Sequence, residues 1–436
     1  MWEWIARPIA FLERCNRRYG EMFAVRFPVG TIVFISDPEV IKEIFTGDPD
    51  VLHAGEGNAT PLEPIMGKNS VLLLDGAEHM RQRKLMLPSF HGERMQRYGE
   101  LMREIAEREI GTWPVGKPFA LRPRTQAITL EIIMRTVFGI EDAARLAQLR
   151  DRLGRLLDIS MHSTAMARIV IPALRRSVGR GMWRRFVALR DDVDAVLYDE
   201  IARRREAEDT AERDDVLSVL LQARDEDGTP LTDLELRDEL MTLLVAGHET
   251  TATALAWAFE LLLRHPVELA RLQQEVDSGR SDDYLDAVIK ETLRLRPVLP
   301  GVVRKLTKPL TLGGYDLPAG VRAAPNIYLT HRRADVYPEP ERFRPERFLE
   351  RPADTYSWIP FGGGVRRCLG AAFALYELKV VIPAILQTVT LRAVGDAPET
   401  IRRRAITFVP SRDAMVVVEG FRERPADAVE QAPVAA

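Results

Sequence analysis

The sequence contains very little cysteine: Cys15 and Cys368 are the only two thiols among 436 residues. Two cysteines so far apart are typical of a reduced intracellular protein and argue against a disulfide framework. The chain also lacks a charge excess, because 61 basic and 64 acidic side chains leave a formal net charge of −3. Bulk charge therefore gives no reason to expect a nucleic-acid partner.

The amino terminus lacks the uninterrupted apolar run of a signal peptide or membrane anchor, since Glu3, Arg7 and Pro8 interrupt it. We therefore expect a cytoplasmic protein without a transmembrane segment. One internal stretch, residues 240–263, is long and mostly apolar. It must be either a membrane span or a deeply buried helix.

The composition allows a large folded core, because 46% of the residues are apolar. Helical spacing dominates residues 92–300, whereas 22–36 and 310–321 have the pattern of short strands. The charged stretch 203–215 is expected to be exposed between two helical groups. Residues 421–436 are expected to form a loose tail.

A capping box formed by Thr232 and Glu235 predicts the start of a long helix that continues to His265, about 48 Å in all. The middle of this helix is apolar on nearly all sides, which indicates burial. Glu249 and Thr250 lie in that middle, and a buried acid beside a hydroxyl is a functional-site hypothesis. A membrane helix, or a buried helix whose threonines bond back to the backbone, remains an alternative.

Several shorter motifs surround this helix in sequence. His79 and Arg83 are spaced to lie on one helical face, and "KETLR" places Glu291 and Arg294 three residues apart. Each pattern alone is typical of solvated surface charge.

Taken together and in this order, the motifs resemble the cytochrome P-450 family of haem-thiolate monooxygenases. The stretch "FGGGVRRCLG" matches the family's haem-binding signature at Phe361, Gly364, Arg366, Cys368 and Gly370. "AGHETT" resembles the oxygen-activating motif of the central helix, "ETLR" the Glu-x-x-Arg motif, and "PERF" the loop that joins it.

The resemblance implies a mainly α fold with small β-sheets, in which haem lies between the long central helix and the cysteine loop. A larger helical lobe and a smaller β-rich lobe form one haem domain at residues 1–420, followed by the tail at 421–436. The implied cofactor is haem b, with the Cys368 thiolate as the axial iron ligand.

The resemblance also implies roles for individual residues. The haem propionates would be bound by His79, Arg83, Arg366 and Arg304. Phe361, Gly364 and Gly370 would shape the cysteine loop, while Ala246 and Gly247 would leave room for dioxygen at a local helix distortion. Thr250 would orient bound oxygen and Glu249 would relay protons. Glu291, Arg294 and Arg347 would form a buried ion triad that fixes the cysteine loop.

For the substrate, the family's pocket segments correspond to Val298, Leu299, Val302, Phe408 and Val409, which are all apolar. They suit a lipophilic molecule such as a fatty acid, terpenoid, steroid or polyketide. Electrons would come from a ferredoxin and its NAD(P)H-dependent reductase, docked near Arg81, Lys84 and Arg367. Residues 157–186 either border the pocket or form an ordinary amphipathic surface.

Three other functions stay open at this point. A peroxide-driven peroxygenase would turn over with peroxide and no reductase. A haem-thiolate isomerase or dehydratase would need no reductant. A haem sensor without enzymatic activity would bind a partner and form no product.

Overall fold

The computed structural model describes residues 2–27, 30–90, 93–140, 142–161 and 180–423, and most of them are helical. The helices, in chain order, are α1 Trp2–Ala6, α2 Pro8–Tyr19, α3 Pro38–Thr46, α4 Ala54–Met66, α5 Gly76–Met86, α6 Glu93–Ile110, α7 Leu121–Phe138, α8 Ala143–Met161, α9 Arg180–Glu206, α10 Val216–Gln222, α11 Asp233–Leu262, α12 Pro266–Ser278, α13 Asp283–Leu295, α14 Ile327–Thr330, α15 Arg347–Glu350 and α16 Ala371–Thr388.

The strands are short and form small sheets. They are β1 Met22–Phe27, β2 Gly30–Ile35, β3 Leu52–His53, β4 Pro118–Ala120, β5 Arg304–Leu306, β6 Leu310–Leu312, β7 Tyr315–Leu317, β8 Arg322–Pro325, β9 Val389–Ala393, β10 Ile401–Arg404, β11 Thr407–Pro410 and β12 Met415–Phe421. The largest sheet has the order β1-β2-β8-β5-β3, and β4-β12-β9 form a second. The pairs β6-β7 and β10-β11 stand alone as hairpins. The expectation of a mainly α fold with small sheets is confirmed.

The helix α11 lies at the centre of the helical lobe and packs most extensively against α7. Its capping box is present, because Thr232 and Glu235 each bond the other's backbone N–H. Nearly every side chain from Leu236 to Leu262 is buried inside the protein. The apolar stretch 240–263 is therefore a core helix. Among the described residues, only α16 has the length and composition of a membrane span, and 56% of it is buried.

The β-rich lobe contains two smaller apolar clusters, one of which includes the first helix. The Trp4 ring of α1 lies 5.5 Å from the ring of Phe34 on β2, between ring centroids. The guanidinium of Arg403 on β10 lies 4.7 Å from the Trp4 ring centroid. The amino-terminal helix is thus packed against two separate β elements.

The charged stretch 203–215 is only partly exposed, which corrects the expectation for it. Arg204 and Asp215 form an ion pair with an N–O distance of 2.5 Å, and both side chains are buried. Arg204 also donates to the carbonyl oxygen of Phe138 at the end of α7. This pair ties α9 to the amino-terminal cap of α10, where Asp215 accepts from the Ser218 N–H.

Other local expectations agree with the structure. Residues 22–36 form the antiparallel pair β1-β2, and Asp37 caps α3 by accepting from the Glu39 N–H. The proposed boundary at 420 falls inside a strand, because Phe421 pairs with Val389. Most of the proposed tail, 424–436, and most of the 157–186 segment lie outside the described residues.

Candidate functional site

The cysteine loop is a tight turn packed against the β-rich lobe. The Cys368 N–H donates to the carbonyl oxygen of Phe361 across 2.9 Å, which closes the loop on itself. Gly364 has a φ of +63°, and a Cβ there would lie 2.0 Å from the carbonyl oxygen of Phe45. Only glycine tolerates both this conformation and this contact, so the loop sequence is dictated by its fit to α3.

The Cys368 side chain is exposed to solvent, although many protein atoms surround it. Burial raises the pKa of the Cys368 thiol, whereas a hydrogen bond from the Gly370 N–H and the charges of Arg83 and Arg367 lower it. These donors and cations are suited to a sulfur anion, and a bound metal ion deprotonates a coordinating thiol outright.

A cluster of basic side chains adjoins the loop. Arg366 donates to the carbonyl oxygens of Val71, across 3.2 Å, and Leu74, and also to the carboxylate of Asp75. Arg83 lies on the other side and donates to the carbonyl oxygen of Arg367 across 2.9 Å. The cluster thus connects α5, the 71–75 segment and the cysteine loop.

This basic cluster carries more positive charge than Asp75, the one carboxylate that pairs with it in the described part of the chain, can balance. Burial and three neighbouring arginines lower the pKa of His79 to about 3. Burial and the Arg366 charge lower the pKa of Arg304 to about 10, and burial and the Arg83 charge lower the pKa of Arg366 to about 10. A ligand with two carboxylates, such as the two propionates of haem, would neutralise these groups. The residues present therefore fit haem, with Cys368 as the iron ligand.

The long helix α11 faces this region with a small, accessible side chain. Ala246 is exposed although it lies in the middle of an otherwise buried helix, and the half-buried Thr250 is one turn further along. The Thr250 hydroxyl donates to the Ala246 carbonyl oxygen across 2.7 Å, which is the back-bonding that the sequence analysis left open as an alternative. The helix is continuous through both residues, so the expected local distortion is not present.

Gly247 lies at the contact between α11 and α7. A Cβ at this position would lie 2.7 Å from the Cδ1 atom of Ile133 on α7. The missing side chain therefore allows close packing of α11 on α7. Ala246 is exposed and Gly247 is partly exposed, so the expectation that the pair makes room for dioxygen stays a prediction.

The Glu249 carboxylate lies in a buried network of opposite charge. Arg122 Nη1 lies 3.1 Å from Glu249 Oε1, and Arg404 Nε lies 3.7 Å from the same oxygen. The Gln126 amide donates to the other oxygen. Burial raises the pKa of Glu249, while both arginines and the amide lower it. Arg122 also bonds Asp413, which is 28% exposed, so the network leads from Glu249 towards solvent.

The three residues of the expected ion triad meet in the protein interior. Arg294 donates to both oxygens of Glu291, at 2.6 and 2.9 Å, and Arg347 Nε donates to Oε1 across 3.0 Å. Glu291 and Arg294 are fully buried. Both arginines also donate to backbone carbonyl oxygens of the 338–342 segment, so their charges are well solvated by the protein.

The proposed pocket residues separate into two groups. Leu299 and Val302 are partly buried beside the cysteine loop, because both pack on the cluster that contains Ile359. Val298 is 9% exposed and belongs to the main core. Phe408 and Val409 are fully buried.

The pocket role proposed for Phe408 is wrong for its side chain. Its ring packs 6.2 Å from the Tyr328 ring in the apolar cluster of the β-rich lobe. Val409 points to the opposite face of β11, as alternation along a strand requires, and is also enclosed.

The three basic residues suggested to bind a ferredoxin differ in how far their charges are already paired. Arg81 bonds Asp225 and Glu235 at 2.6 and 2.8 Å, so its charge is neutralised and it does not contribute a free basic group. Lys84 pairs with the exposed Glu226, whereas Arg367 is exposed on the cysteine loop.

Sequence reasoning missed several polar residues of this site: Asp75, Arg122, Gln126, Asp238, Glu239 and His331. Glu239 on α11 accepts from the Val71 N–H across 2.8 Å, and Asp238 accepts from the Asn69 N–H across 3.0 Å. Their contacts join segments more than 50 residues apart in most cases, so no local pattern marks them. The one available signal was the placement of consecutive acids in an apolar helix.

Comparison with known proteins gives a consistent result. The family model described as Cytochrome P450 matches residues 4–417. Cytochrome P450 135B1 of Mycobacterium tuberculosis is 45% identical over 421 residues, covering 95% of this chain and 88% of that protein. Cytochrome P450 137 of the same species is 41% identical over 404 residues, covering 92% and 84%.

Solved structures agree with the sequence relatives. The retinoic acid-bound cyanobacterial CYP120A1 superposes with a TM-score of 0.82 at 25% identity, covering 95% of both chains. The haem domain of cytochrome P450DA superposes with a TM-score of 0.83 at 25% identity, covering 96% of this chain and 94% of that one.

Proposed function

The chain belongs to the cytochrome P450 family of haem-thiolate monooxygenases, and we propose that it hydroxylates or epoxidises a lipophilic small molecule. Two electrons would come from a ferredoxin and an NAD(P)H-dependent ferredoxin reductase. The candidate substrates are a fatty acid, a terpenoid, a steroid or a polyketide-like compound.

The haem, when bound, supplies the oxygen chemistry, and thiolate ligation favours O–O bond cleavage. In this proposal the residues of the chain hold the haem in place. Cys368 binds the iron through its sulfur, which the Gly370 N–H stabilises, while His79, Arg83, Arg304 and Arg366 bind the two propionates. The excess positive charge of this cluster supports the assignment.

Thr250 and Glu249 are the proposed proton-handling groups. The Thr250 hydroxyl is half-buried one helical turn from Ala246; it donates its proton to the Ala246 carbonyl oxygen, and its lone pairs remain able to accept from a water molecule. Arg122 would hold the Glu249 carboxylate in place without carrying protons itself, and Glu249 would take up protons from water and release them towards Thr250.

The observation that supports a lipophilic substrate is the apolar character of the accessible wall. Ala246 is exposed on α11, and Leu299 and Val302 are partly exposed beside the cysteine loop. Val302 Cγ1 lies 3.5 Å from the position that a Cβ of Gly362 would occupy, so this side chain reaches the loop itself. Apolar walls of this kind bind ligands mainly by excluding water. Retinoic acid in the similar cyanobacterial enzyme is also lipophilic.

A binding screen tests the substrate class. Addition of lipophilic compounds to the ferric protein should displace iron-bound water and shift the Soret band for at least one class. Val302→Asp should weaken that binding by about tenfold, because it places a charge in the apolar wall, while Val267→Asp on the exposed face of α12 should not. A panel in which only charged, water-soluble compounds bind would contradict the proposal.

Turnover of the compound found in the screen tests the reaction and the electron source. We expect product with ferredoxin, reductase and NAD(P)H, with an electron-transfer rate that falls as salt rises. Product formed with peroxide alone would favour a peroxygenase, product without any oxidant or reductant an isomerase or dehydratase, and ligand-dependent partner binding without product a sensor.

A further inference from the structure

His331 lies between the ion triad and the cysteine loop, and we propose that it is the positioning residue that connects them. It is fully buried in the loop that follows α14. Each of its ring nitrogens and its carbonyl oxygen contacts a different group of the surrounding structure. The proposal requires the family's haem-thiolate ligand but does not depend on the substrate or the electron donor.

The contacts of the imidazole ring define a single tautomer. The Ile359 backbone nitrogen lies 2.9 Å from Nε2, and a backbone N–H can only donate, so Nε2 must be unprotonated. Nδ1 lies 3.2 Å from the carbonyl oxygen of Arg294, so Nδ1 carries the proton and donates it. Burial and the Arg294 charge lower the pKa of His331 to about 3, which agrees with a neutral ring.

The triad fixes the other side of His331. Arg294 Nη1 donates to the His331 carbonyl oxygen across 2.7 Å, while the same guanidinium bonds both oxygens of Glu291. The side chain of Arg294 therefore positions the backbone of His331, and the ring of His331 in turn bonds the backbone of Arg294. This reciprocal pair makes the ring orientation a direct consequence of triad geometry.

Ile359, whose N–H donates to the His331 ring, directly precedes the cysteine loop. The Ile359 carbonyl oxygen accepts from the Gly362 N–H across 3.0 Å, and the Phe361 carbonyl oxygen accepts from the Cys368 N–H across 2.9 Å. Ile359 is itself fully buried in the apolar cluster beside α3. Its N–H has no access to water, so an unpaired amide there would be strongly unfavourable. The loop would then have to rearrange around Cys368.

The test compares His331→Leu with His331→Gln in the haem-loaded protein. The glutamine side-chain oxygen can reach the position of Nε2 and accept from Ile359, whereas leucine cannot. His265→Leu is the matched control, because the ring of His265 bonds the Leu261 carbonyl oxygen and packs on Phe343, neither of which belongs to the cysteine loop.

Two measurements are made on each variant: amide hydrogen exchange at Ile359, and the position of the Soret band of the ferrous carbon-monoxide complex, which distinguishes thiolate from thiol ligation. We expect His331→Leu to raise exchange at Ile359 by at least about tenfold and to convert part of the haem to the thiol-ligated form. His331→Gln and His265→Leu should match the wild type in both.

The glutamine variant decides the question if His331→Leu does not fold. Wild-type exchange and wild-type ligation in His331→Gln, with loss of either in the leucine variant or failure of that variant to fold, supports the proposal. A folded His331→Leu protein with unchanged exchange and ligation overturns it. Equal disturbance of both readouts in His331→Gln also overturns it, because the acceptor would then not be the property that matters.

Discussion

Arg122 and Glu249 form an ion pair with an N–O distance of 3.1 Å in which each side chain is only 3% exposed. The pair lies between α7 and the middle of α11, one residue from Thr250. Both charges are removed from water, so loss of either partner would leave the other as an uncompensated buried charge and would lower the stability of the fold. The pair therefore links the folding stability of the protein to the protonation of its proposed proton carrier.

Arg122→Leu should make the stability of the protein more dependent on pH. Burial already raises the pKa of Glu249, and loss of Arg122 raises it further. A carboxyl group whose pKa is higher in the folded state destabilises the fold as pH rises from the unfolded value, about 4.3, through the folded one. The unfolding midpoint should thus fall more between pH 5 and pH 8 in Arg122→Leu than in wild type.

Asp413→Asn serves as the control for this variant, since it removes the negative charge of the other partner of Arg122 and leaves the contact with Glu249. Its pH dependence should resemble that of wild type. A parallel loss of stability at all pH values in Arg122→Leu would indicate lost packing and contradict the electrostatic account.

Thr250→Ala should uncouple electron consumption from product formation. Alanine is a strong helix former, so α11 and the haem site should be retained. Loss of the hydroxyl removes the group proposed to order protons, so NAD(P)H oxidation should continue while product falls and hydrogen peroxide accumulates. The measurement is the ratio of product and peroxide to NAD(P)H consumed. Thr250→Ser retains the hydroxyl and should restore most of the product; a wild-type ratio in Thr250→Ala would exclude this role.

Cys368→His should retain some haem but lose the red-shifted Soret band of the reduced carbon-monoxide complex, because imidazole does not donate charge as a thiolate does. Cys15→Ser is the matched control, since Cys15 is buried in the amino-terminal cluster. The spectrum of Cys15→Ser should be that of wild type. Retention of the red-shifted band by Cys368→His would refute the ligand assignment.

Arg347→Ala should destabilise the protein by about 3 to 5 kcal/mol, because it leaves Glu291 with one cationic partner fewer in a fully buried position. The yield of haem-loaded protein and its unfolding midpoint are the measurements. Arg344→Ala provides a control from the same loop, since its guanidinium pairs with the exposed Glu350 while only its backbone N–H contacts Glu291. Equal yields for the two variants would count against a structural triad.

Glu239→Gln should stabilise the protein at neutral pH. Burial raises the pKa of Glu239 well above its usual value, and one of its oxygens has no hydrogen-bond partner among the described residues. Since folding then takes up a proton, wild-type stability falls as pH rises above about 4.3. Glutamine retains an acceptor for the Val71 N–H and does not titrate.

We expect Glu239→Gln to match wild type near pH 4 and to exceed it by at least about 1 kcal/mol at pH 7. Glu78→Gln, on the exposed side of α5, should change neither value. A stability difference that is independent of pH would show that Glu239 is ionised in the folded protein.

Local sequence signals predicted the elements that depend on neighbouring residues. The capping box of α11 and the Asp37 cap of α3 are set by side chains within three residues of the backbone they bond. The contact between Glu291 and Arg294 is likewise a local spacing on one helix. The position of Arg347 was obtained only through the family resemblance.

Contacts between distant segments could not be predicted in this way. Arg81 looks like a free surface cation in sequence, but its partners Asp225 and Glu235 lie about 150 positions away. Phe408 was assigned to the pocket from the sequence. The position of β11 and the alternation of side chains along it direct the Phe408 ring into the apolar cluster of the β-rich lobe. No sequence motif marks His331, because its ring bonds the Ile359 N–H and the Arg294 carbonyl oxygen. Every residue type except proline has both backbone groups, so the partners leave no signal in the sequence.

The contact of Trp4 with Phe34 and Arg403 has a practical consequence for expression of the protein. An affinity tag joined directly before α1, or a deletion of the first seven residues, would disturb the aromatic cluster to which Phe408 also belongs. The β10-β11 hairpin would lose the ring that covers Arg403. Ligand affinities measured on amino-terminally tagged and tag-free preparations should therefore be compared before either is used to rank substrates.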